Sequence, residues 1–411
     1  MVTVPRMGNF GKHLLSEWML DPSVTYLNHG TVGAPPRRVL QAQRELSDRI
    51  EHQPAQFMLR ELADIHADGT WTGAPPHLRA AAALVGEFVG AAAEDLVFVD
   101  NITAGANAVL RSFPFVAGDE ILVTNLGYGG VTNIAHYVAR TTGATVRSIE
   151  LPWPGAAPHE FVDAIAAGIG PHTRLMIVDH ITAETALVLP LAEIIAACHD
   201  RGVLVLVDGA HAPGGIPIDI ASYGADWYTA NLHKWAWAPR SCGILWAAPQ
   251  HHGTLHPTVI SWGLDHGITA EFDLLGTRDP TPFLIAPFAI AMMREFGLAE
   301  IYTYNHALAW WAGQHLAQRW GTTFATPEAM IGSMVNVTLP RALADADAAS
   351  VRARLGDVGI EVPVFAHPHG LTLRVSAQIY VGRDDIDRLG DAVLAMAAEM
   401  TSSSGAGLPT K

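Results

Sequence analysis

Val203-Leu204-Val205-Leu206-Val207-Asp208-Gly209-Ala210-His211, followed one apolar run later by Asn231-Leu232-His233-Lys234-Trp235, decides how this chain folds. An apolar run with no polar alternation leaves no face for water, so it reads as a strand buried on both sides, the habit of parallel sheets covered by helices. Ligands of such sheets bind at the carboxyl ends of the strands, where Asp208 stands. A buried carboxylate is costly unless a cation meets it. A protonated heterocyclic nitrogen is such a cation; a cap on the following turn is the plainer alternative. Lys234 follows one strand later and reaches the same edge.

Lysine is scarce enough to make Lys234 conspicuous. Of 25 basic side chains only Lys12, Lys234 and Lys411 are lysine, and the first and last lie near the chain ends. Arginine serves for generic positive charge but stays protonated, so an interior lysine suggests a need for a nucleophilic amine. The 25 basic and 40 acidic side chains leave a net charge of −15, with no basic surface for a nucleic acid. Cys198 and Cys242 have neither metal-ligand spacing nor the density of a disulfide framework, which predicts a reducing, cytoplasmic setting and no metal site. No stretch reaches the roughly 18 uninterrupted apolar residues of a membrane span, and Met1 to Ser16 has no signal-peptide core.

Outward from Asp208, short apolar runs alternate with helical stretches. Strands are predicted at Leu96–Val99, Ile121–Val123, Val146–Ile149, Leu175–Val178, Val203–Val207, Trp227–Thr229 and Gly243–Trp246. Helices are predicted at Pro76–Gly90, Thr103–Arg111, Gly130–Thr142 and Leu191–Arg201, the last closed by Gly202. The fold class is therefore α/β, with a large domain over 70–285 built on a mostly parallel seven-stranded sheet. Residues 1–69 form an N-terminal segment, extended and turn-rich around Tyr26 to Gly33, then helical over Arg37–Glu51, and predicted to line the active site. Residues 286–400 read as a smaller α+β domain, with helices at Pro287–Glu295, Ile301–Trp320 and Asp385–Met400 and strands at Met334–Leu339, Glu361–Phe365 and Leu371–Ser376. Residues 401–411 read as a disordered tail.

Two turns at the same sheet edge suit a flat, phosphorylated ligand. Asp100-Asn101-Ile102-Thr103-Ala104-Gly105 opens a helix whose free N–H groups and positive dipole end fit a phosphate, although Thr103 also reads as an ordinary cap. Leu126-Gly127-Tyr128-Gly129-Gly130 offers an aromatic that can stack on a heteroaromatic ring, or a plain loop tyrosine.

The order strand-Asp208, strand, His233-Lys234-Trp235 resembles the class-V aminotransferase family of fold-type I enzymes, which carry pyridoxal 5′-phosphate (PLP). The resemblance is strongest to isopenicillin N epimerase-like members. It runs from Trp18-Met19-Leu20-Asp21-Pro22 and Leu27-Asn28-His29-Gly30 through Pro54 to Arg60, Asn101-Ile102-Thr103-Ala104 and Asp208 to Gly214. It continues through Gly276-Thr277-Arg278-Asp279-Pro280 to Leu373-Arg374-Val375-Ser376. It implies a PLP Schiff base on Lys234, with Asp208 on the pyridine nitrogen and Tyr128 on the ring. His211 and Thr182 would lie by the ring hydroxyl, and Thr103, Ala104, Asn231 and His233 at the phosphate. Arg374 would grip the substrate α-carboxylate, for which a planar bidentate donor is suited. Asn28 and His29 would line the substrate mouth, and Thr277 would reach the phosphate of the neighbouring subunit in a homodimer.

The implied activity is removal of the α-proton from an amino acid or amino-acid conjugate, most like an amino-acid epimerase. The alternatives are a C–S lyase working by β-elimination, an aminotransferase, and a catalytically silent PLP-binding regulatory protein. Epimerisation by two bases needs a group facing Lys234 across the substrate, for which His29, His211 and Tyr128 are the candidates. No cysteine follows Cys242, which argues against the persulfide route of cysteine desulfurases. Two departures from the epimerase pattern are Asn125-Leu126-Gly127 before Tyr128 and the carboxylate of Glu184 beside Thr182.

Overall fold

The computed structural model describes residues 10–63 and 76–405, with the side chains of 402–405 left aside. Its strands in chain order are β1 (Thr25–Tyr26), β2 (Leu96–Val99), β3 (Glu120–Thr124), β4 (Thr145–Ile149), β5 (Thr173–Asp179), β6 (Leu204–Asp208), β7 (Trp227–Asn231), β8 (Gly243–Ala247), β9 (Met334–Thr338), β10 (Ile360–Glu361), β11 (Val364–His367) and β12 (Gly370–Ser376).

Seven of them form one sheet in the order β2-β8-β7-β6-β5-β3-β4. All pairings are parallel except those of β8, which runs antiparallel to both β2 and β7. The apolar runs are buried on both faces as their lack of alternation requires: Val205 and Val207 pack into one core cluster and Leu206 into the other. Helices cover the two faces. Gly105, in the helix Ile102–Ser112, lets that helix come close to β7: a Cβ there would run into the Thr229 hydroxyl.

Beyond this sheet, β9, β12 and β11 form an antiparallel sheet in the order β11-β12-β9. In the N-terminal segment, β1 forms a separate two-stranded sheet with β10, paired in parallel with Tyr26 opposite Glu361. The Ser376 N–H donates to the Leu27 carbonyl at 2.9 Å, which lays the stretch after β1 against the end of β12.

Several predicted boundaries move. The strand expected over Val203–Val207 includes Asp208, held in the ladder beside Thr229 and Asp179. The extended reading of Asn28 to Val32 gives way to one helical turn, His29–Val32, closed by Gly33. Glu361–Phe365 is split between β10 and β11. The helix expected to start at Pro287 spans Thr281–Phe296, so the boundary drawn at residue 285 falls inside a helix. Phe283, Ile285 and Ala286 are buried there, and that packing outweighs the hydrogen bond Pro287 cannot make. The last helix runs Arg383–Gly405, so the first residues of the expected tail are helical, and 406–411 lie outside the described residues. Among the described residues no single helix is long and apolar enough to cross a membrane.

Candidate active site

The ends of β5, β6 and β7 open into a cavity of about 420 Å³. Asp179, Asp208, His211, Asn231, His233, Lys234, Thr103, Tyr128 and Arg374 all contribute to its wall. Asp208 is buried. Its Oδ1 accepts the Ala210 N–H at 2.9 Å, and its Oδ2 has no partner. Burial raises its pKa to about 6, against the pull of the Ala210 N–H and Lys234.

Lys234 lies half-buried in the loop after β7, and that loop is fixed by the Leu232 and His233 N–H groups on the Cys242 carbonyl. Burial, then the charge of Arg374, lowers the amine to about 8, with Asp208 and Asp179 acting in the other direction. Its Nζ lies 3.2 Å from His211 Nε2. The Trp235 indole N–H, 3.4 Å from His211 Nδ1, can only donate, so Nδ1 accepts and the proton of neutral His211 sits on Nε2. It therefore faces the lone pair of the lysine amine and favours the uncharged form. Burial holds His211 neutral by lowering its pKa well below the usual histidine value.

The N-terminus of the helix Ile102–Ser112 also lines the cavity. Asn231 Oδ1 accepts the Ile102 N–H at 3.0 Å and so binds the end of β7 to the helix start. Asn101 caps the helix by accepting the Ala104 N–H at 3.1 Å, so that predicted phosphate donor is already engaged, while Thr103 is exposed on the wall. His233 Nδ1 bonds the Cys242 carbonyl at 2.9 Å. A carbonyl only accepts, so the Nε2 lone pair is left over, and burial lowers this ring to about 4.

Arg374, on β12, is buried with its guanidinium donating to the Thr31 hydroxyl at 2.8 Å and to the Ala183 carbonyl, while its Nε has no partner. Desolvation lowers it to about 10, which leaves it charged at neutral pH.

The other expected residues lie elsewhere. Thr182 is fully buried, its hydroxyl shared with Thr185 at 2.7 Å and accepting the Leu187 N–H at 2.8 Å, so it shapes the loop and does not line the cavity. Asn28 donates to Glu361 at 2.7 Å and accepts from the Thr31 hydroxyl, which places it behind the wall. His29 is fully buried between the Tyr380 hydroxyl (2.9 Å) and the Lys234 carbonyl (3.0 Å) and is lowered to about 4 by burial, so it is a strut under the lysine loop and has no free nitrogen for a proton. Thr277 lines a separate cavity of about 390 Å³ with Met58, Leu59, Trp262 and Phe283.

Sequence reading missed Thr31, Asp179, Arg352, Pro363 and Phe365 on the wall, and it noted Glu184 only as an oddity. Both thiols are buried away from this wall, Cys198 raised to about 12 and Cys242 raised still further by burial.

Gly33 secures the floor. Its φ of 66° suits glycine, and a Cβ would run into the His233 carbonyl beside Lys234. Gly33→Ala is expected to destabilise the protein by roughly 2–4 kcal/mol, read as a lowered denaturant midpoint.

The donor set fits PLP. The orphan Asp208 Oδ2 is an acceptor awaiting a cationic nitrogen, the Lys234 amine is held toward its neutral form, and a helix N-terminus lines the same cavity. Comparisons with known proteins agree. The model of the family "Aminotransferase class-V" matches residues 36–389. The isopenicillin N epimerase of Streptomyces clavuligerus is 33% identical over 93% of this chain and 97% of its own length. A probable chloroplastic L-cysteine desulfhydrase of Arabidopsis thaliana is 31% identical over 91% of this chain and 83% of its own. Among solved structures, the complex of the cystine C–S lyase C-DES with cysteine persulfide superposes with a TM-score of 0.74 at 24% identity, covering 90% of this chain and 97% of that one. The chain thus belongs to the class-V aminotransferase family of fold-type I, PLP-dependent enzymes.

Proposed function

We propose that Lys234 holds PLP and then serves as the base that removes the α-proton of an amino acid or amino-acid conjugate. The observation that carries this reading is one cavity holding a lysine amine lowered to about 8, an unpaired buried oxygen of Asp208 and the Arg374 guanidinium. When bound, PLP supplies an electron sink for charge developing at the α-carbon. Asp208 would hold the pyridine N–H, Tyr128 would cover the ring, and Thr103, Asn231 and His233 would surround the phosphate. Arg374 would take the α-carboxylate in place of its present partners Thr31 and Ala183.

The site favours β-elimination from a cysteine conjugate, because that reaction needs one base. Both nitrogens of His29 are engaged, and His211 already bonds the lysine amine, which leaves neither free for a second proton transfer. Epimerisation is the second reading. It would draw its second proton from Tyr128, whose hydroxyl has no hydrogen bond among the described residues and which is 46% exposed. The proposal extends to a homodimer. The cavity around Thr277 adjoins Trp262, which is 86% exposed, and a second copy seated there would carry Thr277 toward the neighbouring phosphate.

Incubating the holoenzyme with amino acids in deuterated water separates the outcomes. Pyruvate and ammonia from a cysteine conjugate report elimination, deuterium at Cα with inverted configuration reports epimerisation, and conversion to the pyridoxamine form reports transamination. Neither exchange at Cα nor any of these products from any amino acid or conjugate would defeat the reading.

Arg374→Lys removes the bidentate grip and is expected to raise KM about 10- to 100-fold, with a smaller change in kcat, as steady-state kinetics would show. Capture of PLP by the cofactor-free protein needs the neutral amine, so its rate should rise with pH through about 8 and level off above. Stopped-flow absorbance over a pH series reads this directly.

A further inference from the structure

Trp235 is buried next to Lys234 in the chain, and the proposed chemistry gives its indole no task. One loop delivers both residues. It is fixed by the Leu232 and His233 N–H groups on the Cys242 carbonyl and closed by the Ala238 N–H on the Leu232 carbonyl at 3.2 Å. The indole is set against the His29 ring, 5.0 Å between centroids, and His29 is itself held at both nitrogens. Its Nε1 meets His211 Nδ1 at 3.4 Å, and the other nitrogen of the same imidazole meets the Lys234 amine at 3.2 Å. His211 is buried in the turn after β6, where the Ala212 N–H donates to the Gly209 carbonyl at 2.9 Å and the Gly215 carbonyl accepts the Ser333 hydroxyl at 2.6 Å.

A neutral imidazole carries one N–H and one lone pair, and the two exchange places between tautomers. With the indole N–H aimed at Nδ1, a proton on Nδ1 would set two buried donors against each other, which is the costlier arrangement. The proton is left at Nε2, facing the lysine. An ammonium there would meet a donor, whereas an uncharged amine presents its lone pair.

We infer that Trp235 is a positioning residue whose indole N–H selects the His211 tautomer, and that this tautomer favours the uncharged, nucleophilic form of the Lys234 amine. The use of that amine to hold PLP rests on the proposed function. Other charged groups also act on Lys234. Arg374 on β12 works in the same direction, Asp208 and Asp179 at the ends of β6 and β5 oppose it, and His233 is uncharged at neutral pH. Tyr128, Glu184 and Arg352 lie on the same wall. All of these side chains are retained when Trp235 alone is changed, so a difference between variants reports the indole.

The test uses the cofactor-free protein. With lysine at positions 12, 234 and 411 alone, side-chain NMR shows few lysine signals, and the one lost in Lys234→Ala belongs to Lys234. Nitrogen NMR of the histidine rings gives the tautomer of His211, identified by its loss in His211→Asn. In the unaltered protein at pH 7 the ring should carry its proton on Nε2; a proton on Nδ1 would overturn the inference, whether or not Trp235→Phe folds. Trp235→Phe keeps an aromatic ring but has no donor. There the imidazole proton should move to Nδ1, Nε2 should accept from the ammonium, and the pH midpoint of the Lys234 signal should rise by about one unit or more from about 8. A midpoint within about 0.3 unit of the unaltered protein would overturn the inference. So would a rise with the tautomer unchanged, which would mark water entering the site. The pH dependence of PLP capture should move with the midpoint. No capture by the unaltered protein would count against the cofactor reading, and the two spectra would still decide the role of Trp235.

Discussion

Replacing Lys234 with alanine is expected to lower turnover by about 10⁴-fold or more, with the protein still folded. The amine is both the point of covalent attachment and the base, and nothing else on the cavity wall replaces it. His211 has its Nε2 proton directed at that amine, and His29 is sealed beneath the loop. The fold does not depend on the charge. The amine's pKa is about 8 in the folded chain against an ordinary 10.5, so its charged form is disfavoured by folding, and removing it relieves a cost at neutral pH. Thermal unfolding of Lys234→Ala should therefore occur at or slightly above the temperature of the unaltered protein, while steady-state assays show the loss. Activity within tenfold of normal would mean that another group removes the proton.

Asp208→Asn should weaken PLP binding about 10²- to 10³-fold, the usual cost of removing one partner of a buried charge pair, and should slow turnover by at least as much. An amide cannot keep the pyridine nitrogen protonated, so the ring withdraws electrons less well. The effect on stability should change sign with loading. Burial raises this carboxyl from its ordinary 3.8 to about 6 in the cofactor-free fold, so stability there falls as pH rises from about 3.8 through 6 and stays lower at neutral pH. Cofactor-free Asp208→Asn should accordingly melt higher than the unaltered protein at pH 7, and the PLP-loaded variant should melt lower. Calorimetry with and without PLP reads both signs.

Much of the site was legible along the chain. A buried parallel strand announces itself by an apolar run, and the residues just past the end of each run gather at one edge of the sheet. Asp208 and Lys234 could therefore be placed together from the runs alone, the family resemblance added His211, Asn231 and His233, and all five line the cavity. The misplaced residues are those whose partners are hidden from a local reading. His29 looked available because nothing near it reveals that Tyr380 and the Lys234 carbonyl occupy its ring. Asn28 is engaged by Glu361 across the β1–β10 pairing, and Thr182 by a hydroxyl of its own loop. Asp179 was overlooked because only the β5–β6 register sets it beside Asp208, and strand order cannot be read from one strand's composition. A proline inside a helix is costly in isolation, so the longer helix Thr281–Phe296 around Pro287 follows only from the burial of its neighbours.

The lysine scarcity that made Lys234 conspicuous also supplies the most direct test. The PLP-loaded protein is reduced with borohydride, digested, and its peptides are weighed to find the pyridoxyl group. With lysine at positions 12, 234 and 411 alone, the assignment is unambiguous. The account predicts near-complete labelling of the peptide containing Lys234 and none at Lys12, which is exposed and paired with Asp385 at 3.4 Å. Labelling confined to Lys12 or Lys411, or no label after loading with PLP, would contradict it.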